Sequence, residues 1–370
     1  MAKIVFIAPY AKFYINFRWE LLETLVQEGH EVIAIGPKEG CYTELNSIGV
    51  YYKEIPLRNT GINPVIDIFT IIQMIRTLKD IKPDVLTCLA IKPVLYGSIV
   101  ARILRITNVN LTITGLGYAF TGTNFKRKVL FPLIRVLYKL ALSRSKVIFF
   151  ENNDDLSVFK QLKLVGNSSK SIVINGSGVN VDKFYHKTNY EGKLVFLLVA
   201  RLLKDKGIEE FVEATRKLKR KYPSVICKIL GPFDENPTAI SIEKISLWIK
   251  DGIIEYLGET NDVRPYLLVS SVFVLPSYRE GTSKATLEAM AMGLPIITTN
   301  APGCKETVKH KENGFIVPIK DAEALGNAME KFILYPNLVR EMGIKSRELA
   351  VEKYDVRKVN AVIKKNMGLR

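Results

Sequence analysis

Between Leu275 and Pro295 the sequence reads Leu-Pro-Ser-Tyr-Arg-Glu-Gly-Thr-Ser-Lys-Ala-Thr-Leu-Glu-Ala-Met-Ala-Met-Gly-Leu-Pro. An apolar strand ends at Pro276, a loop follows, and an amphipathic helix is expected to start near Ser283. The first N–H groups of a helix have no partner inside it, so Gly281, Thr282 and Ser283 would present backbone donors to an anion. Glu280 sits just before that start and Glu288 more than a turn inside the helix. This separation lets one carboxylate face a sugar while the other reaches hydroxyls beyond the phosphates. Carboxylates accept hydrogen bonds from vicinal diols well, so both suit a nucleotide sugar.

A second pair of residues is Arg201, at the end of an apolar run over 194–200, and Lys206, followed by Gly207 and a helical pattern. Alone, that spacing describes an ordinary surface pair. Beside the Glu280 stretch it gains meaning, because the two together resemble the retaining glycosyltransferases of family 4, which carry an E-x7-E motif on a GT-B fold. The resemblance implies that Glu288 binds the ribose hydroxyls of a UDP-sugar, that Glu280 lies near the donor sugar, and that Arg201 and Lys206 grip the diphosphate. A guanidinium fork and an ammonium point charge would neutralise the charge growing on departing UDP. Ile113-Thr-Gly-Leu-Gly117-Tyr118-Ala-Phe120, Ile91-Lys92-Pro93 and Asp234-Glu-Asn-Pro237 extend the likeness to a bacterial subgroup. Its members lengthen undecaprenyl-diphosphate-linked glycans for capsule, O-antigen or protein N-glycans. The implied sugar is an N-acetylhexosamine, N-acetylgalactosamine foremost.

Two departures from the family pattern stand out. The expected Gly-rich loop after the first strand is Pro9-Tyr-Ala-Lys12-Phe13-Tyr14, and no His follows the strand at 109–114; the histidines are His30, His186 and His310. A His contact to the donor is therefore not carried over. A retaining transfer needs no protein base, since the leaving phosphate oxygen can take the acceptor proton. No DxD pair stands ready for a divalent ion, so no metal and no further cofactor are expected. Lys12, Arg18 and Lys92 fall near strand ends and, with Gly117 and Tyr118, are the candidates to meet an acceptor.

The elements that must position these residues alternate. Apolar runs at 3–8, 32–35, 84–88, 109–114 and 147–150 are separated by helical patterns at 17–27, 66–79 and 94–104. After a polar stretch at 186–192 the alternation restarts, with strands at 194–200, 224–230, 253–257, 272–275, 295–298 and 314–317, and ends in helices at 322–334 and 336–354. The expected fold is α/β: two Rossmann-like, doubly wound domains facing across a cleft. The expected boundaries are 1–187 for an acceptor-binding domain and 191–350 for a nucleotide-sugar-binding domain, with a helix at 355–370 packing back on the first. Gly115-Leu-Gly117 imitates a dinucleotide turn, but the next Gly is Gly122 and no acidic residue follows at the ribose position.

The 370 residues suit two cores, and 48% hydrophobic with 24% charged residues is a globular composition. Cys41, Cys88, Cys227 and Cys304 are too scattered for a zinc site or a disulfide framework. No apolar run approaches the ~20 residues of a membrane-spanning helix. The net charge of +16 asks for an anionic partner, and residues 123–146 show where it concentrates. Lys126, Arg127, Lys128, Arg135, Lys139, Arg144 and Lys146 alternate there with aliphatic residues and no acid. Lys128, Arg135 and Lys139 share a helical face, with Pro132 expected to kink the helix or end its first turn. This is the composition of a helix lying on anionic lipid; a core helix with a solvated basic face is the alternative. The expected location is the cytoplasmic side, peripheral on the inner face of the bacterial plasma membrane. Nucleic acid is not expected, since no helix-turn-helix, zinc-finger or RRM pattern occurs. The residues leave one further enzyme open, a UDP-N-acetylglucosamine 2-epimerase of the same architecture.

Overall fold

The computed structural model describes residues 1–40, 42–58, 63–116, 125–165, 170–185 and 193–369, without the side chains of 125–130 and 133. The chain divides into two units, Met1–Ser177 with Val359–Arg370, and Gly178–Lys358. The first division falls before the polar stretch at 186–192, and the chain returns to unit 1 within the last helix, Val356–Met367.

Unit 1 is built on a seven-stranded parallel sheet of β1 (Lys3–Ile7), β2 (Glu31–Gly36), β3 (Tyr51–Glu54), β4 (Val85–Leu89), β5 (Val109–Ile113), β6 (Val147–Phe150) and β7 (Lys170–Val173), in the order β3-β2-β1-β4-β5-β6-β7. Central strands such as Val85-Leu-Thr-Cys-Leu89 are buried throughout, which is why they read as unbroken apolar runs. Val5 and Ile7 face one helix layer, Pro64–Ile81, Ile91–Ile103 and Phe125–Leu142. Ile4 and Phe6 face the other, where Leu21, Leu22 and Leu25 meet Val359, Ile363 and Met367 of the last helix.

The helix expected over 17–27 is two helices, Lys12–Phe17 and Trp19–Gln27, broken where Arg18 leaves helical geometry at φ −139°. Pro132 neither ends nor confines its helix, which runs from Phe125 to Leu142. One N–H is lost there, but Tyr138, Ala141 and Leu142 bury the following turns in the core. Among the described residues, no helix is long and apolar enough to cross a membrane.

Unit 2 repeats the arrangement with β8 (Val195–Val199), β9 (Ile226–Leu230), β10 (Glu255–Tyr256), β11 (Val272–Leu275), β12 (Ile296–Thr299) and β13 (Gly314–Val317), in the order β10-β9-β8-β11-β12-β13. The chain winds outward from β8 toward β10, then returns to place β11 on β8's other side. Ligands of open parallel sheets bind beyond the carboxyl ends at such a reversal. Arg201 and Lys206 follow β8, and Glu280 follows β11. Pairing of Phe196 with Val272 and of Leu197 with Phe273 sets the two strand ends side by side.

Candidate functional site

Three loops leave the carboxyl edge of the unit 2 sheet at the reversal, and main-chain contacts lock them together. After β8, Ala200 N–H donates to the Leu230 carbonyl and Leu202 N–H to that of Pro232. A 3-10 turn, Lys204–Lys206, then closes on Gly207, whose φ is +72°. A Cβ at Gly207 would lie 2.1 Å from the Pro276 carbonyl oxygen, so only glycine lets the β8 and β11 loops touch. The Asp205 carbonyl accepts from Tyr278 N–H at 2.9 Å and from the Ser277 hydroxyl at 3.1 Å. The Thr299 hydroxyl donates to the Ser277 carbonyl at 2.5 Å, tying in the loop after β12. Glu280 N–H donates to the Pro302 carbonyl, and a Cβ at Gly303 would sit 2.2 Å from the Glu280 carbonyl oxygen. The result is one defined side-chain contact: Lys206 Nζ lies 2.5 Å from Glu280 Oε1, both groups largely shielded from water.

Around this pair, Ser283 caps the helix Lys284–Ala291, its hydroxyl accepting from Thr286 N–H at 3.3 Å. Gly281 and Thr282 lie on the loop just before it. Glu288 is buried in the helix with Lys284 Nζ 3.5 Å from its Oε1. Arg201 is exposed and turns to Asp234, Nη1 to Oδ2 at 2.8 Å, on the loop after β9. The structure therefore joins Lys206 to Glu280, while Arg201 and Glu288 each hold a partner of their own. Cys304 packs behind the Glu280 loop; burial first, and the Glu280 charge second, push its thiol up to about 12. Burial and a hydrogen bond to Glu210 raise the Tyr278 phenol well above its usual range. Among the described residues, no group of three His, Cys, Asp or Glu side chains is placed to hold a metal ion.

The candidates in unit 1 are more dispersed. Lys12 is exposed on the first residue of its helix. Arg18, expected to reach acceptor phosphates, is instead buried, 3.9 Å from Glu151 and donating to the Phe17 carbonyl. Lys92 is likewise directed inward, to Asp67 at 3.0 Å. Gly117 and Tyr118 lie outside the described residues, as do the side chains of Lys126, Arg127 and Lys128. Arg135 and Lys139 are exposed on the Phe125–Leu142 helix.

Sequence reasoning missed the residues that fasten the loops: Asp205, Ser277, Thr299 and Gly303. The Pro302-Gly303 dipeptide just beyond a strand was a usable signal, because Gly there marks a turn or a close backbone approach. The other three act through carbonyls and hydroxyls whose partners lie far along the chain.

Two family models match in succession, "Glycosyl transferase 4-like" over residues 3–152 and "Glycosyl transferases group 1" over residues 181–349. The chain is 28% identical over 323 residues to the N,N'-diacetylbacillosaminyl-diphospho-undecaprenol alpha-1,3-N-acetylgalactosaminyltransferase of Campylobacter jejuni, covering 84% of each. It is 28% identical over 325 residues to the UDP-Gal:alpha-D-GlcNAc-diphosphoundecaprenol alpha-1,3-galactosyltransferase of Escherichia coli, covering 83% of this chain and 81% of that one. Anabaena Alr3699/HepE, solved in complex with UDP-glucose, superposes over 100% of both chains with a TM-score of 0.79 at 16% identity, a likeness of fold. None of these matches supports an epimerase. Matched over residues 3–349 with only residues 153–180 between the two models, the chain belongs to the family 4-like, group 1 glycosyltransferases and has their GT-B fold.

Proposed function

We propose that this glycosyltransferase moves an N-acetylhexosamine, N-acetylgalactosamine foremost, from a UDP-sugar to an undecaprenyl-diphosphate-linked glycan in capsule, O-antigen or N-glycan assembly, with retention at the anomeric carbon. The observation that carries the reading is the Lys206–Glu280 contact, fixed by backbone ties at the strand-order reversal. Lys206 Nζ has three N–H donors; one meets Glu280, and the others can meet phosphate oxygens. Glu280 then accepts from donor-sugar hydroxyls, Glu288 from the ribose, and the helix start at Gly281, Thr282 and Ser283 takes the diphosphate. Arg201 exchanges its Asp234 contact for that diphosphate.

As the bond from the anomeric carbon to the β-phosphate oxygen breaks, negative charge gathers on UDP beside Lys206 and Arg201. The acceptor hydroxyl oxygen attacks from the same face, and its proton passes to the departing phosphate oxygen. Sugar and proton thus change places, and no protein base is needed. With two cations supplied by side chains, a divalent ion is dispensable. Lys12, Gly117 and Tyr118 are the residues assigned to the acceptor, and of these Lys12 is exposed. The protein works at the cytoplasmic face of the inner membrane, held peripherally by its basic segment 123–146, whose charges Lys126, Arg127, Lys128, Arg135 and Lys139 are assigned to anionic headgroups.

The test is incubation with UDP-N-acetylgalactosamine, UDP-N-acetylglucosamine, UDP-galactose and UDP-glucose, each with a polyprenyl-diphosphate-linked sugar and each with and without EDTA. Transfer with an α-anomeric product, unaffected by EDTA, is expected. A β product, an EDTA-sensitive rate, or no transfer from any UDP-sugar would each refute its part of the reading.

A further inference from the structure

The Pro64–Ile81 helix is inside out over its first two turns. Val65, Ile68, Phe69 and Ile72 share one face and are 77, 59, 50 and 41% exposed, whereas Asp67 and Thr70 turn inward, 9 and 1% exposed. Specific contacts fix this orientation. Asp67 accepts from Lys92 Nζ at 3.0 Å and from Asn63 N–H at 3.2 Å, and the Thr70 hydroxyl donates to the Pro56 carbonyl at 2.5 Å, with that of Ile66 2.9 Å away. The polar residues are tied to the core, so the apolar stripe stays outside. A contiguous apolar helix face of this kind marks an interaction site.

Charge on the same layer selects the partner. The helix packs beside Ile91–Ile103, and that one beside Phe125–Leu142, all three on one face of the sheet. Residues 55–150, which contain this layer, carry fourteen Lys and Arg against three Asp and no Glu. Between the second and third helices runs a groove of about 260 Å³ with Ala101, Ile106 and Ala141 in its lining and Arg102, Arg105 and Arg144 exposed around it. No acidic residue lines it. The apolar stripe at the start of Pro64–Ile81 and the guanidinium groups at the far ends of its two neighbours lie on the same helix layer, and together they match a surface that is apolar within and anionic at its boundary, which is a bilayer containing acidic phospholipid.

We infer that this helix layer docks on an anionic bilayer, with Val65, Ile68, Phe69 and Ile72 entering the acyl boundary and Arg102, Arg105 and Arg144 holding lipid phosphate. The inference rests on the membrane-bound acceptor proposed above and moves insertion to a helix outside the basic segment named there. The full chain should sediment with phosphatidylglycerol vesicles and stay in solution with phosphatidylcholine alone. Phe69→Asn with Ile72→Asn should weaken vesicle binding at least about tenfold, the scale of exposing one large apolar side chain. Arg102→Gln, Arg105→Gln and Arg144→Gln together should remove the preference for phosphatidylglycerol. Phe69→Trp should add blue-shifted, bromolipid-quenched emission to that of Trp19 and Trp248.

No change in the emission of the Phe69→Trp variant on adding vesicles, or wild-type binding by the Asn variant with its melting temperature intact, would overturn the inference. So would a dimer in sedimentation velocity that Phe69→Asn dissolves, since a second copy would then cover the stripe. Release from vesicles by millimolar inorganic phosphate at constant ionic strength would assign the arginines to free phosphate and overturn the lipid contact. Transfer to a short-chain, water-soluble acceptor should survive in every variant. If that transfer is absent in the wild type while vesicle binding persists, the proposed function fails and the docking surface stands.

Discussion

The two sheets wind alike around their first strands, β2-β1-β4 and β9-β8-β11, yet their carboxyl edges hold charge in different ways. In unit 2 the loops after β8, β11 and β12 are bonded to one another through main-chain groups, with Gly207 and Gly303 where a Cβ has no room. In unit 1 buried side chains fasten the edge. The Tyr14 hydroxyl donates to the Ile35 carbonyl at 2.7 Å, with that of Phe6 2.9 Å away, Arg18 lies against Glu151, and Lys92 is bonded to Asp67. Side-chain fastening uses up the cations it fixes. Backbone fastening sets Lys206 and Glu280 in one geometry without either side chain having to hold the loops together, as the proposed diphosphate and sugar contacts require. A charge that must stabilise a transition state is effective only when held that way beforehand.

Two similar ion pairs make the comparison breakable. Lys206–Glu280 and Lys92–Asp67 are both largely buried. Removing either lysine takes the opposite charge away from a largely buried carboxylate and should cost stability on the order of 3 kcal/mol, read by urea denaturation. Turnover should separate them: Lys206→Ala should lower kcat ~10²–10³-fold, and Lys92→Ala should leave it near wild type at saturating acceptor. Equal losses of kcat would erase the distinction between the edges. Next in size is the glycine test. Gly303→Ala forces a Cβ against the Glu280 carbonyl at φ +77° and should cost roughly 3 kcal/mol with weaker UDP binding. Gly252→Ala, at φ +68° with open space around it, should cost about 1 kcal/mol and spare UDP binding. A Gly303→Ala protein that binds UDP normally would show that the β12 loop does not position the site.

What the sequence made legible follows the same division. Buried parallel strands such as β1, β6 and β11 read as unbroken apolar runs because both faces are covered. β3, Tyr-Tyr-Lys-Glu, and β7, Lys-Ser-Ile-Val, went unseen because edge strands carry polar residues. Glu280 and the helix start could be singled out from the Leu275–Pro295 stretch, and Lys206 only through the family resemblance that stretch carries, since its own spacing describes a surface pair. Their fastening was not legible, since a carbonyl such as that of Asp205 leaves no mark in the residue type. Arg18 and Lys92 illustrate the opposite limit: a cation near a strand end reads as a phosphate contact until its buried carboxylate partner is seen.

Smaller effects sharpen the comparison within unit 2. Glu288 is buried beside Lys284, one turn back on the same helix. If it accepts from ribose, Glu288→Ala should weaken UDP binding about tenfold or more in calorimetry, the worth of a charge-assisted hydrogen bond. Unchanged affinity would confine the carboxylate to its Lys284 contact.

The finest test uses two thiols, one behind each edge. Cys88 is buried in unit 1, and burial raises its thiol far above the ordinary value. Cys304 is buried behind the Glu280 loop and pushed up to about 12. Each raised value favours the neutral thiol in the folded chain. The stability it contributes is complete below the unfolded value of about 8.5 and is lost as pH rises toward the folded one. In a Cys41→Ser, Cys227→Ser background, both thiols should therefore resist a disulfide reagent at pH 8 and react only on opening. Their urea profiles then report the opening of each edge separately. If the backbone ties make the unit 2 edge the firmer, Cys304 should need at least as much urea as Cys88, and saturating UDP should slow Cys304 alone. Earlier reaction of Cys304, with UDP slowing both thiols equally, would mean that the ties follow the stability of the whole chain rather than create a rigid edge.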